Sequence, residues 1–301
     1  MDMAGTNQTM AGRFERLPPQ LYFVTSAIFH YLGPAFAVLL FAAIAPLGVA
    51  WLRIASAAVI FALWRRPWRF FGRLSAAQRG VVIGLGMVLG LMNGSFYLAL
   101  ERLPLGTVGA IEFLGPIGLA AFGMRSTRNL LALGLAIIGV YVLTDARIEG
   151  EPMGYVFAFA NCALFVAYVV LGHKIASGGA ADGVDRLGAA MLIAMVVALP
   201  FGIEEALPAF QDPRLLAAAI GVGICSSVIP YVCDQFAMAR LPRASFALLL
   251  SLLPATASAI GLLVLRQVPS ALEAVGVGLV IAGVGLSRER DPSPATRSNL
   301  T

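Results

Sequence analysis

Two charged side chains, Glu112 and Arg53, interrupt long apolar stretches of the sequence. Glu112 is the only ionisable residue in LGTVGAIEFLGPIGLAAFG (Leu105–Gly123), and Arg53 lies within LGVAWLRIASAAVIFALW (Leu47–Trp64). A charge in apolar surroundings is costly and is a functional-site hypothesis by default. A carboxylate binds an ammonium group and a guanidinium binds a carboxylate, so together the two side chains could bind a zwitterion. A structural ion pair that only locks two helices together is the alternative interpretation.

Seven further polar side chains in apolar segments are candidates for lining the same site: Asn93, Tyr97, Tyr231, Asp234, Gln235, His30 and Asn161. Their spacing places Asn93 and Tyr97 on one helix face, and likewise Tyr231 with Asp234 or Gln235. Hydrogen bonds that join neighbouring helices are the alternative role for these groups. For Asp234, a position at the wetted end of its helix is a second alternative.

The composition indicates that lipid covers most of this chain. The 301 residues are 59% hydrophobic and 12% charged, whereas a soluble domain has about 25% charged residues. About 20 apolar residues cross the hydrocarbon core as a helix. Ten apolar windows are present, at 20–40, 45–64, 79–100, 105–122, 129–144, 153–173, 186–203, 214–238, 244–265 and 270–287. Continuous apolar runs favour helices over the alternating pattern of a β-barrel. We therefore expect an all-α membrane protein with ten transmembrane helices.

The distribution of basic residues predicts the orientation, because cytoplasmic loops carry an excess of Lys and Arg. With the N-terminus in the cytoplasm, sixteen of the 21 basic residues lie inside and four lie outside, and Arg53 is within a helix. The four outside are Arg102, Arg147, Arg214 and Arg266. Both termini are then predicted to be cytoplasmic.

The chain also repeats itself, because FYLALERLPLGTVGAIEFLGP (Phe96–Pro116) resembles DQFAMARLPRASFALLLSLLP (Asp234–Pro254). Each half has five windows, so the second copy enters the membrane in the opposite direction. Such inverted repeats are typical of secondary transporters, whose substrate site lies near the midplane between the halves. The predicted organisation is a cytoplasmic tail (1–19), a first five-helix repeat (20–144), a second repeat (153–287) and a cytoplasmic tail (288–301).

Pro116 and Pro254 occupy matching places in the fourth and ninth windows. A proline bends a helix because it has no N–H and crowds the preceding turn. The two prolines are therefore candidate hinges for alternating access.

Other classes of protein find little support in the sequence. The chain has two histidines, no cysteine pattern typical of a metal site, no phosphate loop and no Ser-His-Asp set. We therefore expect no metal and no cofactor. The basic residues are scattered through short loops, which argues against nucleic-acid binding. An intramembrane lipid enzyme is one remaining alternative, but it would need loops long enough to cover its catalytic groups, and the loops between the windows are short. A helical scaffold without a pore is another, and the polar residues within the helices count against it.

The quoted segments carry a resemblance to a known family. FYLALERLPLGTVGAIEFLGPIGLAAF in the first half and PYVCDQFAMARLPRASFALLLSLLPA in the second resemble the EamA group of the drug/metabolite transporter superfamily, and within it the threonine/homoserine exporters. The resemblance covers about residues 20–287. It implies a bacterial inner-membrane exporter of small amino acids or related metabolites. Arg53, Glu112 and Asp234 are the positions that carry over.

One position departs from that family pattern. Such proteins often carry a glutamate directly before the proline of helix nine, where this chain has Leu253. The expected partners are a small-molecule substrate and the lipid bilayer. A proton gradient is the candidate energy source, with Glu112 as the candidate proton carrier, and uniport or exchange is the alternative. A broad-specificity drug or metabolite exporter of the same fold is the alternative function.

Overall fold

The structure is a computed structural model that describes residues 18–123, 126–145, 151–240 and 252–286. Both predicted tails, apart from residues 18 and 19, lie outside the described residues. The same holds for residues 241–251, which contain part of the repeated segment and the start of the ninth window.

The described residues are helical nearly throughout. The first half contains α1 (Pro19–Leu40), α2 (Pro46–Arg65), α3 (Trp68–Phe71), α4 (Ala76–Leu100), α5 (Leu105–Glu112), α6 (Leu114–Gly123) and α7 (Thr127–Asp145). The second half contains α8 (Pro152–Ala176), α9 (Ala180–Gln211), α10 (Pro213–Gly223), a π-helical turn (Ile224–Val228), α11 (Ile229–Met238), α12 (Leu252–Leu265) and α13 (Ala271–Leu286).

Six helical segments of the described chain are long and apolar enough to cross a membrane. They are Leu21–Leu40, Pro46–Arg65, Ala76–Leu100, Pro152–Ala176, Ala180–Gln211 and Pro213–Ala237. Four shorter apolar helices are Leu105–Gly118, Thr127–Val142, Leu253–Leu265 and Ala271–Leu286. Large apolar side chains point away from the protein, among them Leu63 and Leu263, which are 74% and 78% exposed. An all-helical membrane protein is therefore the fold class.

Two helices are interrupted, in each case at or next to a residue that lies four positions before a proline. A proline cannot donate to the carbonyl four residues before it, so Pro116 leaves the Glu112 carbonyl without its helical donor. The helix breaks there, between α5 and α6, at Phe113. In the same way Pro230 cannot donate to the Ser226 carbonyl, and Ser226 lies in the π-helical turn between α10 and α11.

The helices pack in pairs that join the two halves of the chain. Helix α2 packs along α9, α7 along α13, and α5 against α12. Helix α4 packs on α8, and α1 packs correspondingly on α10, the π-turn and α11. Helix α1 also contacts α12, as α8 contacts α5 and α6. The fold thus brings α1, α2, α5, α8 and the π-turn together around the buried charges.

Candidate functional site

Arg53 is buried and uses all three nitrogens of its guanidinium. Its Nε donates to Ser227 Oγ at 2.8 Å, one terminal nitrogen donates to the Ser226 carbonyl at 2.6 Å, and the other donates to the Tyr97 hydroxyl at 3.4 Å. The guanidinium carbon also lies 5.6 Å from the centre of the Tyr97 ring. All of these partners are neutral, so the positive charge of Arg53 is oriented without being neutralised.

The π-helical turn supplies two of these acceptors, and two glycines let neighbouring helices approach it. A π-helical turn is frequent at functional sites, and here the carbonyl freed by Pro230 accepts from Arg53. A Cβ on Gly33 of α1 would lie 2.7 Å from the Ser226 backbone nitrogen. A Cβ on Gly223 would lie 2.9 Å from the Arg53 carbonyl oxygen. Only glycine permits approaches this close.

Glu112 ends α5 and is 2% exposed. One carboxyl oxygen accepts a hydrogen bond from the Tyr31 hydroxyl at 3.2 Å, and the other accepts from the Asn161 amide nitrogen at 3.1 Å. Helices α1 and α8, from opposite halves of the chain, therefore hold this carboxyl group with neutral donors. Such donors satisfy a buried carboxylate without cancelling its charge.

Arg53 and Glu112 interact electrostatically, yet within the described residues they form no direct ion pair. The ion pairs recorded there join Arg65 to Asp185 and Arg102 to Glu101, closer to the helix ends. The alternative interpretation, a structural ion pair that locks two helices together, requires a salt bridge between Arg53 and Glu112, and these two side chains do not form one. A guanidinium and a carboxyl group that are near but unpaired can each bind an opposite charge on a small molecule.

Asp234 is buried in a second polar cluster rather than wetted at the end of its helix, being 8% exposed. One carboxyl oxygen accepts a short hydrogen bond from Ser26, and the other accepts from the Tyr168 hydroxyl at 3.3 Å. The Tyr231 ring packs on Tyr168, with the ring centres 5.5 Å apart. The Tyr231 side chain is fully buried.

The remaining candidates are placed near these clusters but play different local roles. Asn93 is buried and donates to the carbonyl of Leu89 in its own helix at 2.8 Å. Both amide atoms of Gln235 are buried without a partner in the described part of the chain. His30 is partly exposed, and its ring packs edge-on against Tyr31 and Phe165, with centres 5.4 and 6.4 Å away.

Five side chains in these clusters were not singled out from the sequence: Ser26, Tyr31, Tyr168, Ser226 and Ser227. Three of them carried a signal, since Tyr168 lies two turns after Asn161 on one helix face, and Ser226 and Ser227 precede a proline. Ser26 and Tyr31 carried none, because a single hydroxyl in an apolar helix is common.

The two candidate hinges occupy the same place in their helices. Pro116 is the third residue of α6, and Pro254 is the third residue of α12. The turn before Pro254 falls outside the described residues. Leu253, at the position where the family pattern has a glutamate, is buried and 6% exposed.

A cavity of about 270 Å³ lies near the start of α5, between this helix and the ends of α12 and α13. Thr107 and Ser258 line it, together with Gln267 and Glu273. Thr107 lies five residues before Glu112 on α5, so this cavity is near the buried charges but separate from the hydrogen bonds around them.

Apolar helices long enough to cross a membrane, with two opposite charges buried between them, define a multi-pass membrane protein. A profile of the EamA-like transporter family matches residues 152–288. The threonine/homoserine exporter RhtA of Escherichia coli (strain K12) is 30% identical over 253 residues, which cover 83% of this chain and 84% of that protein. The chain belongs to the EamA-like transporter family, and it is a transporter rather than an enzyme.

Two further comparisons extend over nearly the whole chain. The threonine/homoserine exporter RhtA of Salmonella typhimurium (strain SL1344) is 29% identical over 295 residues, covering 94% of this chain and 97% of that protein. A solved crystal structure aligns with a TM-score of 0.59 at 18% identity. It covers 94% of this chain and 98% of its own, which supports the fold alone.

Proposed function

We propose that this chain is a secondary transporter that exports small amino acids of the threonine and homoserine type by alternating access, coupled to protons. The observation that carries the proposal is the pair of buried, opposite charges, Arg53 and Glu112, each held by neutral partners. Arg53 binds the substrate carboxylate and Glu112 binds the substrate ammonium group. The name of the similar exporters supports this substrate class.

The other polar side chains complete the transport route in this proposal. Tyr97 and Asn161 fix the two charges, and Asn93, Tyr231 and Gln235 offer polar groups along the route. Asp234, which accepts from the Tyr168 hydroxyl, also lines the route. So does the partly exposed ring of His30, which packs against Tyr31. Pro116 and Pro254 act as matching hinges.

We further propose ten transmembrane helices arranged as two inverted five-helix repeats, residues 20–144 and 153–287, with both termini in the cytoplasm of a bacterial inner membrane. The six long and four shorter apolar helices support this number. The packing supports the symmetry, because the contact of α4 with α8 is matched by that of α1 with α11. The contact of α2 with α9 joins equivalent helices, as does that of α7 with α13.

Overexpression in a bacterial strain sensitive to threonine tests the transport function. We expect the wild-type protein to give resistance to toxic threonine and homoserine, and Glu112→Gln to abolish it, because the amide keeps the shape but not the charge. Glu101→Gln is the matched control, since Glu101 is exposed and pairs with Arg102. Full export by Glu112→Gln would remove the carboxylate from the mechanism. Resistance to dyes and antibiotics alone would favour the drug-exporter alternative.

A further inference from the structure

Glu112 and Asp234 are held by the same two helices. Helix α1 provides Tyr31 to Glu112 and Ser26 to Asp234. Helix α8 provides Asn161 to Glu112 and Tyr168 to Asp234. The two carboxyl groups thus form two levels between α1 and α8, which occupy equivalent first positions in the two halves of the chain.

The spacing of these partners separates the two levels along the helix axes. Ser26 and Tyr31 are five residues apart, and Asn161 and Tyr168 are seven apart. At 1.5 Å per residue, these separations correspond to about 7.5 Å on α1 and about 10.5 Å on α8. A ligand bound at one level therefore does not contact the other, but a shift of either helix moves donors at both.

The hydrogen-bond donors differ between the two levels. Asp234 is bonded by hydroxyl groups only, and a hydroxyl can either donate to a carboxylate or accept from a carboxylic acid. Glu112 receives one bond from the Asn161 amide nitrogen, which can only donate. The charge of Arg53 also acts on Glu112. The level at Glu112 thus suits a carboxylate that binds a cation, whereas the level at Asp234 suits either protonation state.

Within the described residues, the side chains that bond to Asp234 are neutral hydroxyl groups. Tyr168 faces it from α8 and Ser26 from α1, and Tyr231 and Cys233 lie on its own helix. Helix α9 approaches α11 at Gly183, beside the neutral side chain of Gln235. The guanidinium of Arg240, two residues after the end of α11, stacks on the rings of Tyr22 and Phe236, each 5.4 Å away.

We infer that Asp234, with Ser26 and Tyr168, is the proton-binding site, and that Glu112 is kept for the substrate ammonium group. The inference rests on the proposed function and assigns the proton to a different carboxyl group from the one favoured by the sequence. In each cycle one proton forms an O–H bond with Asp234 on one side of the membrane, and that bond breaks toward the other side. Helices α1 and α8 link this event to amino-acid binding at Glu112.

Purified protein in liposomes separates the two roles. Net threonine transport driven by a pH gradient requires the proton site, whereas exchange of labelled for unlabelled threonine requires only the substrate site. We expect Asp234→Asn to lose gradient-driven transport but still to exchange threonine, and Glu112→Gln to lose both. Asp182→Asn, the same change at an exposed aspartate, is the matched control and should keep both.

A second measurement does not depend on the identity of the substrate. Infrared difference spectra across a pH titration detect the carbonyl stretch of a buried carboxylic acid. We expect this band in the wild type and in Glu112→Gln, and its loss in Asp234→Asn.

Three results would overturn the inference. They are a band that persists in Asp234→Asn, gradient-driven transport that survives the same change, and wild-type transport that follows a sodium gradient instead of a proton gradient. If the band behaves as expected but the wild type moves no amino acid, the proposed substrate fails while the proton site stands.

Discussion

At the residue scale, the orientation of Arg53 depends on acceptors that differ in kind. Its three nitrogens donate hydrogen bonds to a serine hydroxyl, a backbone carbonyl and a tyrosine hydroxyl. A lysine in this place has a single ammonium group and cannot reproduce the planar arrangement of donors. The sequence predicted that Arg53 matters, but the serines that hold it lie 173 and 174 residues further along the chain.

The adjacent serines of the π-turn allow a matched pair of substitutions. Ser227→Ala removes the acceptor of Arg53 Nε, whereas the Ser226 hydroxyl has no partner within the described residues. Hydrogen bonds to charged groups contribute about 1.5–3 kcal/mol. We therefore expect Ser227→Ala to lower the free energy of unfolding in detergent by about that amount and to slow export. Ser226→Ala should lower the free energy of unfolding by clearly less, because its hydroxyl makes no hydrogen bond within the described residues. Equal effects of the two variants would contradict the placement of Arg53.

At the element scale, both interruptions of the helices occur beside the buried charges. Glu112 and Ser226 each lie four residues before a proline, Pro116 and Pro230 respectively. The proline positions are visible in the sequence, and the bend at Pro116 was predicted from them. The π-turn at Ser226 was not predicted, because its form depends on how closely α1 and α2 approach it.

Restoring the missing backbone donor tests the break between α5 and α6. Pro116→Ala provides an N–H for the Glu112 carbonyl, and one such hydrogen bond contributes about 0.5–1.5 kcal/mol. We expect a continuous helix, an unchanged or higher melting temperature and slower export. Pro152→Ala is the control, because a proline at the first position of a helix such as α8 removes no helical hydrogen bond. Wild-type export by Pro116→Ala would show that the break has no role in transport.

The contact between α1 and the π-turn is tested by a small change of volume. Gly33→Ala places a methyl group against the Ser226 backbone, and overpacking of this kind costs about 1–3 kcal/mol. We expect a loss of stability of that size, together with slower export as the Ser226 carbonyl moves away from Arg53. Gly134→Ala is the control, since a Cβ there meets nothing within 4 Å. Thermal unfolding and transport of both variants check the prediction, which fails if Gly33→Ala behaves like the control.

At the scale of the whole molecule, the buried charges lie where the two halves of the chain meet. Glu112 from the first half bonds to Asn161 of the second, and Asp234 from the second half bonds to Ser26 of the first. Movement of one half against the other therefore changes the surroundings of both carboxyl groups. This arrangement is what the proposed alternating access requires.

The proposed orientation is tested by labelling single cysteines in intact cells. In a background with Cys162, Cys225 and Cys233 replaced by serine, we introduce Arg73→Cys or Arg214→Cys, both at exposed positions. We expect a membrane-impermeant maleimide to label Arg214→Cys directly and Arg73→Cys only after the membrane is opened. The reverse pattern would place both termini outside.

The sequence by itself determined that the chain is helical, lies in a membrane, contains Arg53 and Glu112 as buried charges, and belongs to its family. Each of these follows from hydropathy, proline spacing or motifs, which are properties of neighbouring residues along the chain. Only the tertiary structure decided that Arg53 and Glu112 remain unpaired, and that α1 and α8 hold both carboxyl groups. Such contacts join residues up to 208 positions apart. They depend on how each helix is rotated and which helices it packs against, and no local pattern specifies either.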